Sequence, residues 1–292
     1  MRKLSKQYTI KWKKAFCSER GMTIVEMVAA LTISALLATL IFQFFSIQTN
    51  NYVQGREISD MQQELRWAMQ YVSDHVKLAG NGVPPTCGWP VIENIDGVSI
   101  PDTLAVLGSF TPLVLTTTQT MANEGSQVKV NDTNGVEAGD LIVISDGTFQ
   151  EIFMVTSVSS DLHLWHAAAL PWNDDLKLNH SYVSGSSCTI ASHYKFFIDD
   201  SDPDHPNLMV ETQSYEPQVL AGDVDDFQIR FKMKSGDWED ETTEVYDIRM
   251  IEITIRARSH EPLDDYTDPV YGDAYKRLEL KSIVVPKNII II

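Results

Sequence analysis

Residues 21–45 of the chain read GMTIVEMVAALTISALLATLIFQFF, an apolar run whose one charged side chain is Glu26. From Met27 to Gly55 the sequence contains no Asp, Glu, Lys or Arg. As a helix, the apolar part from Met27 to Ile47 would be about 31 Å long, which matches the hydrocarbon core of a bilayer at about 30 Å. The run therefore predicts a transmembrane helix at about 27–47.

The segment before this run is basic. Residues 1–21 carry seven Lys and Arg residues and one acid, Glu19, so the positive-inside rule places them in the cytoplasm and the rest of the chain outside. A secretory signal would be cut after its apolar region, but here that region continues directly into an amphipathic pattern. A carboxylate inside such a helix costs about 2.5 to 3.5 kcal/mol. Glu26 therefore requires a cationic partner or a position at the interface.

The stretch GMTIVE followed by an apolar helix resembles the type III signal of type IV pilins and type II secretion pseudopilins. The resemblance implies that a membrane peptidase cuts between Gly21 and Met22, and that Met22 is then N-methylated. It also implies that Glu26 pairs with the new α-amino group on a neighbouring subunit, which would relieve two costly charges together. The simpler alternative is an acid at a helix start, favoured by the helix dipole by about 0.3 to 1 kcal/mol.

After the apolar run, the chain is predicted to continue as an amphipathic helix. Gly80, Gly82 and the Pro84–Pro85 pair end it, so residues 22–80 are predicted as one helix whose first half is transmembrane. Apolar residues recur at intervals of three and four and form one packing face, which consists of Ile58, Met61, Leu65, Ala68, Met69, Val72, Val76 and Ala79.

Beyond the helix the hydrophobic period changes to two, which indicates strands. Three alternating stretches are predicted to form an antiparallel sheet packed on the helix, and they include Phe227–Met233, Ile251–Ala257 and Leu278–Leu280. A break in alternation at Ile248–Ile251 predicts a β-bulge. Short strands at 140–145, 149–158 and 162–165 predict a small barrel-like insertion at about 128–168, and residues 192–200 and 207–213 a hairpin. The predicted fold class is α+β, with residues 81–292 forming a β-rich globular domain.

Longer features narrow the resemblance. The stretch RWAMQYVSDHVKLAGNG (66–82), the insertion sequence AGDLIVIS (138–145) and the closing VVPKN (284–288) are similar to the PilW type of minor pilin. The resemblance implies a pilin fold, no catalytic activity and no cofactor. It further implies a subunit that helps initiate or cap a type IV pilus. Alternatives are a J-like minor pseudopilin of type II secretion, a pilus-tip adhesin and an anchored enzyme.

The same resemblance implies where the chain is found and what it meets. It predicts a single-pass protein of the inner membrane, with a cytoplasmic N-terminus and a periplasmic C-terminal domain, that later enters a pilus at the cell surface. The implied partners are other minor and major pilins, the prepilin peptidase and methyltransferase, and the pilus assembly platform.

Charge and motifs restrict the function classes. The net charge is −17, and loss of residues 1–21 removes seven of 23 bases and one of 40 acids, leaving −23. Such a chain repels phosphate backbones, so no nucleic-acid partner is expected. The sequence contains no G-x-S-x-G, H-E-x-x-H or P-loop motif. His163 and His166 fall in a predicted strand, where positions i and i+3 face opposite sides, which favours surface histidines over a zinc site.

Cys17 lies in the leader, which leaves Cys87 and Cys188 in the exported part. In an oxidising compartment these two predict one disulfide, which closes a loop of about 100 residues and stabilises by a few kcal/mol. The alternative is two unpaired, buried thiols.

An acidic cluster has part of the spacing of a calcium loop. Asp200, Asp202, Asp204 and Glu211 match EF-hand ligand positions, but His205 stands where that loop needs glycine. A solvated hairpin turn is therefore favoured over calcium, and no metal is predicted.

Overall fold

The computed structural model describes residues 22–85, 88–95, 100–166, 172–173, 177–263 and 266–289. The chain divides into two compact units, Met1–Gln54 and Gly55–Ile292. In the described part of the chain, helix α1 (Ile24–Leu78) is followed by strands β1 (Ile92–Ile95), β2 (Thr103–Gly108), β3 (Val114–Thr116), β4 (Val128–Lys129), β5 (Leu141–Ser145), β6 (Gln150–Met154), β7 (Ser157–Val158), β8 (His163–Trp165), β9 (Ser187–Asp199), β10 (Asn207–Thr212), β11 (Tyr215–Ala221), β12 (Val224–Met233), β13 (Trp238–Glu239), β14 (Ile248–Arg258) and β15 (Arg277–Val284).

Helix α1 ends where the sequence predicts. Gly80 and Gly82 adopt φ values of +75° and +66°, a left-handed conformation that glycine tolerates best. The Gly80 N–H donates to the Leu107 carbonyl oxygen at 2.9 Å, which ties the end of the helix to β2. The predicted packing face is confirmed, because the buried residues of α1 are Met61, Leu65, Ala68, Met69, Val72, Ser73 and Val76.

The largest sheet has eight strands and is organised around β9. The N-terminal half of β9 pairs with β3 and β5, while its C-terminal half pairs with β2 and β10. The predicted hairpin at 192–200 and 207–213 is β9 and β10. In the region of the predicted insertion, β5 and β6 join the large sheet through β9, and β4, β8 and β7 form a three-stranded sheet. The barrel-like arrangement stays a prediction.

The second sheet has the order β13-β12-β14-β15 and contains the three strands predicted from alternation. The predicted bulge is confirmed, since Lys232 pairs with Met250 but Met233 pairs with Ile248, which leaves Arg249 unpaired in the register. Inward-facing residues of this sheet, of the large sheet and of the second half of α1 belong to one hydrophobic core. A second, smaller hydrophobic core lies under β5, β6 and the N-terminal half of β9. The α+β class is therefore confirmed.

Candidate functional site

The start of α1 carries the first group of predicted site residues. Gly21 lies outside the described residues, and Met22 is the first residue that the structure describes. The Thr23 N–H and hydroxyl both donate to Glu26 Oε2, at 2.9 and 3.0 Å, and the Glu26 N–H donates to Thr23 Oγ1 at 3.2 Å. This is a capping box, in which an N-cap threonine and the glutamate three residues later satisfy each other's free N–H groups. The T-x-x-E signal for it stands in the sequence, but the sequence reasoning considered only Glu26.

The apolar half of α1 has no protein around it. Every residue from Met22 to Val53 is exposed, including large side chains such as Ile24 at 82% and Phe42 at 76%. By length and composition, α1 could span a membrane, and it is the one described helix of that kind. A contiguous apolar surface of this size is typical of an interaction site or of a membrane-contacting segment.

The predicted cysteine pair is only half described. Cys87 lies outside the described residues, and Cys188 is a free, fully buried thiol of the smaller core. Burial raises the pKa of the Cys188 thiol to about 12, which suppresses thiolate reactivity. Its neighbours Ser187 and Thr189 line a groove together with Pro85, and alternation along a strand places Cys188 on the other face. The bridge between Cys87 and Cys188 stays a prediction.

The acidic residues considered for calcium are not gathered into one site. Asp200, Asp202 and Asp204 are exposed in the turn between β9 and β10. The Asp202 carboxylate accepts the Asp204 N–H at 3.1 Å, an arrangement that closes a turn. Glu211 lies on β10 and forms a 3.5 Å ion pair with Lys195. These contacts are those of the solvated hairpin turn that the sequence favoured.

His163 and His166, the pair considered for zinc, differ in burial and in contacts. His163 lies on β8 and is half-buried, whereas His166 follows that strand and is buried, with its Nε2 3.0 Å from the Ser126 carbonyl oxygen. His166 also meets the edge of the Phe153 ring. Its contacts are those of a core histidine.

A cluster that the sequence analysis did not predict joins three loops at one end of the β-sheets. His205 Nδ1 lies 2.9 Å from Asp223 Oδ1, and His260 Nδ1 lies 2.9 Å from Asp223 Oδ2. The two imidazole rings stack with centroids 4.3 Å apart. No sequence signal points to this cluster, because its members are 18 and 37 residues apart and meet only when β10 to β14 have folded.

The surroundings of this cluster are acidic. The Asp223 side chain is 18% exposed, and the hydrogen bond to Asp223 raises the pKa of the His260 imidazole, with the charges of Glu261 and Glu57 acting in the same direction. Glu57 Oε1 accepts the Glu261 N–H at 3.2 Å, so both acids are held beside His260. Among the described residues, His205, Asp223 and His260 form the one group of three or more His, Cys, Asp or Glu side chains that could hold a metal ion. Their ligand atoms lie within 4.8 Å of one another.

Comparison of the chain with protein-family models, with curated proteins and with solved structures gave no match.

Proposed function

We propose that this chain is a minor pilin, a structural subunit without catalytic activity that helps initiate or cap a type IV pilus. The chain enters the inner membrane by the first half of α1, with its N-terminus in the cytoplasm. It is cut after Gly21, is methylated at Met22 and then joins other minor and major pilins at the assembly platform. The β-rich unit lies in the periplasm and later at the cell surface.

The exposure of every residue from Met22 to Val53 carries this proposal. A permanent membrane anchor also needs an apolar surface, and in it Glu26 would serve only as part of the helix cap. Packing among similar helices buries the same surface without lipid and supplies Glu26 with a partner, namely the α-amino group that cleavage creates at Met22 of a neighbour. A pair of opposite charges in a low-dielectric bundle is strongly favoured over either charge alone.

The capping box gives Glu26 a second, purely local role, and the experiment must separate the two. Glutamine at the third helical position keeps a capping box but has no charge. Glu26→Gln therefore removes the proposed pairing while it retains the cap. Thr23→Ala does the opposite: it keeps the carboxylate and removes the hydroxyl, at a cost of about 1 kcal/mol of helix stability.

Both variants are expressed in cells with the rest of the assembly machinery, and the chain is quantified in membranes and in sheared surface filaments. We expect Glu26→Gln and Glu26→Val to insert and be cleaved like the natural chain but to be lost from filaments, and Thr23→Ala to be incorporated. Normal incorporation of Glu26→Gln together with loss of Thr23→Ala would assign Glu26 to capping alone and contradict the proposed pairing.

A further inference from the structure

We propose that His205, Asp223 and His260 form a surface site for a divalent first-row transition metal, of which Zn²⁺ fits the donors best. The site is separate from the start of α1 and does not depend on the proposed assembly role. The two imidazoles flank one carboxylate: His205 Nδ1 lies 2.9 Å from Asp223 Oδ1, His260 Nδ1 lies 2.9 Å from Asp223 Oδ2, and the three ligand atoms lie within 4.8 Å of one another. Imidazole with one carboxylate is a donor set typical of zinc sites that keep one position open.

The three side chains are held by rigid neighbours. His205 is in the turn before β10, Asp223 is in the turn between β11 and β12, and His260 follows β14. The Asp223 carbonyl oxygen accepts the Arg258 N–H at 2.8 Å, and the Val224 N–H donates to the Pro206 carbonyl oxygen at 2.8 Å. The backbone thus links all three segments beside the site.

Asp223 has an unusual backbone conformation for its residue type. Its φ is +53°, in the left-handed region, and it follows Gly222, a residue that could take such a conformation at lower cost. Asp and Asn are the side chains that tolerate this region best, at a cost of order 1 kcal/mol or more. The surrounding hydrogen bonds maintain this conformation, which aims the carboxylate between the two imidazoles.

The distances are compatible with metal entry. Four ligands about 2.1 Å from a tetrahedral zinc ion are about 3.4 Å from each other. The ligand atoms of the cluster all lie within 4.8 Å of one another, and the two His–Asp separations are 2.9 Å. Metal entry therefore requires the two stacked imidazoles to turn towards one point and the carboxylate to move off its two 2.9 Å hydrogen bonds. His260 is 59% exposed, which leaves a path to solvent and room for a water ligand.

The local charges also favour a cation. With neutral imidazoles, Asp223, Glu57 and Glu261 leave the site with an excess of negative charge. Arg258, whose backbone N–H bonds the Asp223 carbonyl oxygen, has a guanidinium that is directed elsewhere: Nη2 donates to the Pro203 carbonyl oxygen at 2.6 Å, and the group lies over the Tyr275 ring. A dication bound by neutral imidazoles reduces this excess without bringing two imidazolium charges together in the stacked pair.

The competing interpretation is a metal-free cluster, in which two imidazole N–H groups donate hydrogen bonds to one carboxylate. These bonds would hold the three loops together without an ion. The two interpretations differ in what zinc does. In a metal-free hydrogen-bonded cluster, zinc has no specific effect. In a metal site, one zinc ion binds per chain and stabilises the fold by mass action.

The test is calorimetric titration of zinc chloride into the full chain in detergent after chelator treatment, repeated with Asp223→Asn and His260→Ala. Asparagine tolerates the left-handed backbone and keeps an acceptor, so Asp223→Asn removes the charge with little strain. His163→Ala is the matched control, because it removes a half-buried histidine from a different sheet. Circular dichroism verifies that each variant is folded.

We expect one zinc per natural chain, an affinity at least about tenfold weaker in Asp223→Asn and His260→Ala, and unchanged binding in His163→Ala. Calcium should not compete, since it prefers oxygen ligands. Absence of zinc binding by the folded natural chain would overturn the site, as would equal binding by both cluster variants. Neither result would affect the proposed assembly role, which is measured by filament incorporation.

Discussion

The two halves of α1 share one helix but occupy different environments. From Met22 to Val53 every residue is exposed, and apolar side chains occur on all sides of the helix. From Gly55 to Leu78 a single stripe is buried, with Leu65 and Val72 fully inaccessible, and polar or charged residues occupy most of the rest. An apolar stripe serves packing on one neighbouring surface, whereas a helix that is apolar all round must be enclosed. Among the described residues, none covers the first half of α1, whereas the core of the β-rich unit covers the stripe of the second half.

Alanine substitutions in the two halves should give the largest contrast in stability. Leu65→Ala removes a fully buried side chain from the main core and should lower the free energy of unfolding of the β-rich unit by about 2 to 5 kcal/mol. Leu40→Ala removes a side chain that is 61% exposed and should change it by no more than about 0.5 kcal/mol. Denaturant unfolding of the full chain in detergent, followed by tryptophan fluorescence, measures both. Similar losses for the two variants would erase the distinction between the halves.

A smaller change in the free energy of unfolding is expected at Ser73, a buried polar residue in the packed half of α1. Ser73 is 5% exposed, and its hydroxyl has no hydrogen-bond partner among the residues that the structure describes. An unsatisfied buried hydroxyl costs about 1 to 3 kcal/mol, and alanine is also the better helix former. Ser73→Ala should therefore raise the unfolding free energy by about 1 kcal/mol in the same assay. A decrease would show that the hydroxyl is satisfied in solution.

The smallest effect concerns pH and again tests the packed half. His75 lies on α1 among Tyr71, Phe110 and Tyr194, and burial lowers the pKa of its imidazole. Because the folded pKa is below the unfolded value of about 6.5, the unfolded chain binds more protons as the pH falls through this range. The fold therefore loses stability from about pH 7 downward, until the folded pKa is passed.

His75→Phe keeps an aromatic ring in the cluster and removes this titration. The unfolding free energy of the variant should depend less on pH between about 7 and 5 than that of the natural chain. Part of the dependence should persist, since burial also lowers the pKa of His193. Equal pH dependence of the two proteins would show that His75 does not contribute.

Local patterns predicted much of this structure. The extent of α1, its buried stripe, strands β12, β14 and β15 and the bulge at Arg249 all follow from hydrophobic periods and from glycine and proline positions, which depend on near neighbours in the chain. The pairing of β9 with four strands did not follow, because it joins segments that are distant in sequence. Through this pairing, β5 and β6 of the predicted insertion belong to the large sheet.

The candidate sites differ in the same respect: one is formed by near neighbours in the sequence, the other by distant residues. The Thr23–Glu26 capping box joins residues three positions apart, so its T-x-x-E pattern can be read from the sequence, although only its glutamate was considered. The cluster of His205, Asp223 and His260 depends on three turns at the ends of different strands. Single residues in turns carry no periodic signal, so only the folded chain brings these ligands together.

The central claim is that the first half of α1 is released from its leader and enclosed by other subunits. Its most direct test is the intact mass of this chain in filaments sheared from cells that express it naturally. Cleavage after Gly21 and methylation predict a chain that starts at Met22 and carries one N-terminal methyl group. A chain in the filaments that still starts at Met1, or a cleaved chain confined to the membrane fraction, would contradict it.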